Sequence, residues 1–289
     1  MKKILYLLLL FIPVIALPQM KQDINNIEPN VYLIGVIHAR HFDSKYNYSL
    51  ADVLEQVKAL KPDLVCGEIT PEAFDKPMEG FFPPEAAMLA EMADELNYRF
   101  EPVDWRLDYA TQALANKDYP QSVKEKTQPI IKRLNDDLEN LGKKSAYDYL
   151  HEKSTLQSLD IMYEEIICVN TVSEIASGNW NERSRRIVEN TMTAAGDART
   201  IVIVFGIDHL PQLQRYFKEW GIEAKIPERM FVPNNQHKVS ETVLNRWKKN
   251  LENLISIRDK KINSSYDDYK KVTNSNRIKD IEKAINSSL

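Results

Sequence analysis

Four apolar runs of strand length recur along this chain, and the apolar residues between them are spaced for helices. The runs are "VYLIGVI" (31–37), "DLVCGE" (63–68), "RFEPVD" (99–104) and "TIVIVFGIDHL" (200–210). Strands alternating with helices build βαβ units. The expected fold class is therefore α/β, with a mostly parallel central sheet flanked by helices. The local signals agree. Ser49 is placed to cap a helix carrying Leu50, Val53, Leu54, Val57 and Leu60 on one face, and Lys61-Pro62-Asp63 stops it. "PPEAAMLAEMADELNY" (83–98) reads as a helix opened by proline. After the last run, a helix from Pro211 to about Trp220 and a short strand near Glu223 to Ile226 are expected.

Residues of about 108–180 interrupt this alternation. Val123, Thr127, Ile130, Leu134, Leu138 and Leu141 recur at three- and four-residue spacing and predict one long amphipathic helix, with one or two more over Tyr147 to Val172. This is a helical insertion packed over the sheet, in a position to act as a lid. Past Pro233, Val243, Trp247, Leu251 and Leu254 form one apolar face, while 263–289 is polar and charged. Residues 236–289 read as a C-terminal helical tail that frays toward its end. At the other terminus, Met1-Lys2-Lys3, the apolar stretch Ile4 to Ile15 and the small Ala16 predict a signal peptide over 1–16, with an uncleaved anchor as the rival reading. The α/β domain then occupies 17–235, and the mature chain is expected to be periplasmic or extracellular.

The chain has 38 basic and 42 acidic residues, a net charge of −4 that falls to about −6 once Lys2 and Lys3 leave. That balance gives no reason to expect a nucleic-acid partner. No segment after the leader is apolar enough to cross a bilayer. The two cysteines, Cys66 and Cys168, could pair after export, but Cys66 sits in a strand run, where a buried thiol is as natural.

Each strand run ends in an ionisable residue: His38, Glu68, Asp104 and His209. The carboxyl ends of parallel strands share one sheet edge, where ligands bind. Parallel neighbours would therefore bring these four side chains to one pocket. A glycine precedes each histidine by three positions, Gly35 and Gly206, and lets the backbone approach a neighbour closely. Two histidines and a carboxylate are a recurrent ligand set for a divalent metal of the Mn, Co or Zn class, whose bound water would be a nucleophile near neutral pH. Without a metal, His38 or His209 could act as general base, oriented by Glu68.

This GxxH…E…GxxH arrangement resembles the TraB/Tiki superfamily, which includes erythromycin-esterase-like and ChaN-like proteins. The resemblance runs from about Val31 to Trp220, with a loose match over the helical insertion. Its motifs fall on Gly35–His38, Glu68 and Gly206–His209. "NERSRRI" supplies Arg183 where the family tends to carry an arginine, with serine at 184 where asparagine is common, and "VDWR" resembles its strand-three aspartate and arginine, displaced by one residue. The resemblance implies a metal-dependent hydrolase cleaving a peptide or ester bond, or, in ChaN-like members, a haem-binding protein. A pocket that only sequesters a peptide is a third possibility.

The expected site thus comprises His38, Glu68 and His209 as metal ligands or holders of a catalytic water. Arg183 would stabilise negative charge, and Asp104 would support a histidine. Arg185 and Arg186 read as solvated, and His41 as a surface residue. His151 and His237 receive no role.

Overall fold

The computed structural model describes residues 28–289, so the expected signal peptide lies outside the described residues. Four strands form one all-parallel sheet: β1 (Asn30–Val36), β2 (Leu64–Gly67), β3 (Arg99–Pro102) and β4 (Thr200–Gly206), in the order β1-β4-β2-β3. The α/β expectation holds. The central strands read as unbroken apolar runs because both faces are covered, and Ile201 to Phe205 are fully or almost fully buried. The last strand returns to lie between β1 and β2, so the loops leaving these strands meet around a crevice at the carboxyl edge.

The helix Leu50–Leu60 begins at a capping box in which Ser49 and Asp52 each satisfy the other's backbone N–H, and it ends at Lys61 in the left-handed conformation. Pro84 opens the helix Pro84–Glu91, which packs on β2 and β3. The predicted strand near Glu223 is reduced to a single bridge between Tyr32 and Lys225. Lys225 exchanges backbone hydrogen bonds with Val31 and Leu33, and beyond it the outer side of β1 is met by side chains, described below.

The insertion contains the helix Gln121–Glu139, the short helices Ala146–Leu150 and Lys153–Asp160, and a π-helical stretch Ile161–Ile167 that leads to Thr171–Ala176. Trp180–Ala195 then leads back toward β4. The tail differs from the expectation of fraying. Helices Glu241–Arg258, Tyr266–Thr273 and Arg277–Ser288 pack on the body of the protein, with Trp247, Leu254, Ile281 and Ala284 buried. They are anchored by polar contacts that composition does not reveal. Trp247 Nε1 donates to Pro84 O at 3.0 Å, and Arg246 pairs with Glu79, Glu91 and Asp75. The tail therefore buttresses the helix that begins at Pro84. Among the described residues no helix is long and apolar enough to cross a membrane. Cys66 and Cys168 are both free thiols, and burial pushes each up to about 12.

Candidate active site at the carboxyl edge

Because β1 and β4 are parallel neighbours with Val36 opposite Gly206, the two glycine–histidine segments lie side by side. Their glycines serve each other. A Cβ on Gly206 would stand 2.7 Å from His38 Nε2, and one on Gly35 would collide with the Ile207 side chain. Each motif needs its glycine because the other motif occupies the space. His38 itself sits in the left-handed region at φ 52°, costly for a residue with a Cβ and more frequent at functional sites than elsewhere.

The imidazole of His38 is held from two sides. Nδ1 donates to Glu85 Oε1 at 2.6 Å, and Nε2 lies 3.8 Å from Glu68 Oε2. Burial lowers the His38 pKa, but Glu85 and Glu68 outweigh it and leave the ring above its usual 6.5. Burial likewise disfavours the Glu85 anion, yet His38 at hydrogen-bonding distance holds that carboxyl below its usual range. Glu85 Oε2 is buried with no partner among the described residues.

Glu68, Asp104, Arg106 and Arg183 form a buried cluster of two carboxylates and two guanidiniums. Arg183 donates from Nε to Asp104 Oδ1 at 2.8 Å, and from Nη2 to Asp104 Oδ2 and Glu68 Oε1, each at 3.0 Å. Arg106 donates to Asp104 Oδ2 at 2.6 Å and to Glu68 Oε1 at 2.8 Å. The N–H of Gly206 donates to Glu68 Oε2 at 2.9 Å. Burial opposes ionisation of Glu68, but His38, Arg183 and Arg106 hold it well below the usual carboxylate range. Arg183 was expected to face a substrate anion. Its fork is instead engaged by Asp104 and Glu68, and it holds the Glu68 carboxylate in place. Arg185 and Arg186 pair with Glu182 and Glu189 at the surface, as expected.

His209 is buried against the ring of Trp180, centroids 4.0 Å apart, and Trp180 stacks on Tyr163 at 4.1 Å. Burial and the nearby Arg183 keep its ring well below 6.5, hence neutral. Its Nδ1 has no partner among the described residues.

Three further histidines divide differently from the sequence reading. His41, expected at the surface, is fully buried. Its Nε2 accepts from Ile37 N at 3.1 Å and its Nδ1 donates to Tyr48 O at 2.7 Å. His151 Nε2 accepts from Gly35 N at 2.8 Å while its Nδ1 donates to Tyr147 O. Among the described residues β1 is an edge strand, its outward N–H groups beyond the Lys225 bridge lack a strand partner, and these two rings supply the acceptors. They fix the backbone just before His38. His237 lies in the 231–240 segment and touches Phe42.

Burial pushes His41 and His151 down to about 4. Below pH 6.5 the unfolded chain binds protons that these folded rings refuse, so stability falls with falling pH. We expect the melting temperature to drop steeply between pH 6.5 and 4, with His41→Gln flattening that part of the curve. A profile flat over this range would contradict the neutral, accepting rings.

The donors fit a resident divalent ion poorly. Both oxygens of Glu68 are engaged by three N–H donors, two from guanidiniums whose charge opposes a cation, and Nδ1 of His38 is spent on Glu85. Among the described residues no cluster of three histidine, cysteine or acidic side chains is arranged to hold an ion. Glu85 is the partner of His38 that sequence reading missed, and Arg106 is the second guanidinium of the cluster. A carboxylate in the first turn after proline reads as helix-dipole compensation, so nothing marked Glu85 except its apolar surroundings. A cavity of 430 Å³ opens above the edge, lined by His38, Gly206, Asp208 and residues of the insertion. Compared with known protein families, curated proteins and solved structures, the chain has no match.

Proposed function

We propose that this chain is a hydrolase of acyl bonds, ester or peptide, in which His38 is the general base and Glu85 its orienting partner. The observation that carries the reading is the 2.6 Å contact between His38 Nδ1 and Glu85, on a residue whose Nε2 is aimed past a glycine at the sheet edge. With Nδ1–H donated to Glu85, Nε2 is the basic nitrogen. It takes a proton from water as the oxygen attacks the acyl carbon; the tetrahedral adduct then expels the alkoxide or amine, which takes the proton from Nε2. Glu85 stabilises the transient imidazolium. Glu68, clamped by Arg106, Arg183 and the Gly206 N–H, sets the second wall of the water site. The resemblance to the TraB/Tiki superfamily supports acyl-bond hydrolysis, and the engaged oxygens of Glu68 and Nδ1 of His38 support the metal-free form. Haem binding is the rival, with Tyr149, Met162 and Tyr163 in the cavity wall in its favour.

The test is hydrolysis of a panel of chromogenic esters and peptides across pH, with and without chelator. Because His38 is raised above 6.5, the base form is lost as pH falls through that higher value, so kcat/KM should show an acid limb above pH 6.5. Glu85→Gln removes the strongest raising influence and should move that limb to lower pH while lowering the plateau about tenfold or more. An unmoved limb would detach Glu85 from the base. Dialysis against a chelator should leave the rate unchanged, and loss of activity restored by one divalent ion would overturn the metal-free form. A Soret shift on adding haem, with no hydrolysis, would favour the rival.

A further inference from the structure

The cavity above His38 has a composition of its own. Its floor is the edge itself, with Ile37, His38, Gly206 and Ile207, and its roof is the insertion, with Leu134 and Leu138 from one helix and Leu159 from another. The π-helical stretch brings two consecutive residues, Met162 and Tyr163, into the same wall. Such stretches are frequent at functional sites. Tyr163 also ties wall to edge, since its hydroxyl donates to Asp208 at 3.3 Å and its ring stacks on Trp180.

The charges bear on what fits. Glu85 pairs with His38 and Asp208 lines the cavity, the charge of Glu68 being balanced by Arg106 and Arg183, and among the described residues the one permanent cation in the lining is Arg40, exposed and hydrogen-bonded to Asn135. The His38 end offers an anion no unpaired cation among the described residues, and an aliphatic chain meets aliphatic walls. At about 30 Å³ for a water-sized group, 430 Å³ accommodates on the order of a dozen such groups.

We infer that this cavity is an acyl-chain pocket and that the bond cleaved at His38 is that of a neutral ester or amide of a medium-length aliphatic acid. The inference rests on the hydrolase reading and narrows it to a substrate class. Water adds to the acyl carbon as His38 Nε2 takes its proton, the C–O or C–N bond breaks, and the proton passes to the leaving oxygen or nitrogen. The acid product then ionises and leaves to solvent.

The experiment uses the full chain with p-nitrophenyl acetate, butyrate, octanoate, decanoate and palmitate, and in parallel the binding of decan-2-one, a neutral ketone that is not hydrolysed, by calorimetry. We expect kcat/KM to rise about fourfold per methylene to an optimum at octanoate or decanoate and to fall at palmitate. Leu134→Trp, which fills the roof from a half-buried position, should move the optimum to shorter chains, and Met162→Ala should move it to longer ones. Hydrolysis with equal kcat/KM for acetate and decanoate overturns the pocket and leaves the hydrolase reading standing. No hydrolysis of any ester, with decan-2-one bound and weakened by Leu134→Trp, overturns the hydrolase reading and retains the pocket. Neither hydrolysis nor binding overturns both.

Discussion

With His38 as the proposed general base, His38→Asn should lower kcat/KM by about 10²–10⁴-fold, the range for removal of a positioned general base, and Gly206→Ala should lower it by about 10²-fold through the same imidazole. The alanine Cβ would lie 2.7 Å from His38 Nε2, 3.2 Å from its Cε1 and 3.5 Å from Glu68 Oε2. It displaces the ring by a few tenths of an ångström or more, and a shift near 1 Å at a catalytic group costs about 10²-fold. Because Nδ1 is held by Glu85 and the backbone before it by His41 and His151, the ring has little room to yield without losing one of these contacts. The two substitutions should therefore fail to add. In the His38→Asn background, Gly206→Ala has no catalytic ring to displace, and the double variant should match His38→Asn within about twofold. Steady-state kinetics of the four proteins, with circular dichroism to confirm the fold, measures this. Full additivity would mean that Gly206 serves the backbone or Glu68, and not the base.

The carboxyl edge was legible in the sequence because its chemistry follows directly from strand geometry. An apolar run that stops at His38, Glu68, Asp104 or His209 places that residue beyond a strand end, and parallel order carries all four to one side. What could not be read was contact across long separations. His151 is bonded to a backbone N–H 116 positions away, and nothing in its neighbourhood announces that β1 is an edge strand needing acceptors. Glu85 is hidden for a similar reason. Its burial is secured by the tail packed over Pro84, through Trp247, and the tail's polar composition reads as solvated when taken alone. Arg183 was visible as a candidate, but its role depends on where its fork points. The family resemblance indicated an anion holder, whereas Asp104 and Glu68 already occupy the guanidinium.

The cluster behind the edge sets the largest stability effect. Asp104 has no solvent-exposed side-chain surface and accepts four N–H bonds: one from Trp105, one from Arg106 and two from Arg183. With Glu68 it balances the two guanidiniums, so the four ionised groups sum to zero. Asp104→Ala leaves Arg183 buried with an unmatched charge and Trp105 N–H without its acceptor. Breaking one partner of a buried pair costs about 3–5 kcal/mol, and for a domain of this size that lowers the melting temperature on the order of 10 °C. Removing the partner as well should recover much of the loss. In Asp104→Leu with Arg183→Met, the Arg106–Glu68 bond of 2.8 Å is left as a self-contained pair, and no charge is stranded. The double variant should melt above Asp104→Ala while losing activity, because Glu68 is then held by one guanidinium in place of two. Urea and thermal denaturation of the three proteins decides it. A change of less than about 1 kcal/mol in Asp104→Ala, as is common for exposed ion pairs, would show that water reaches this cluster and that its charges are not balanced by each other.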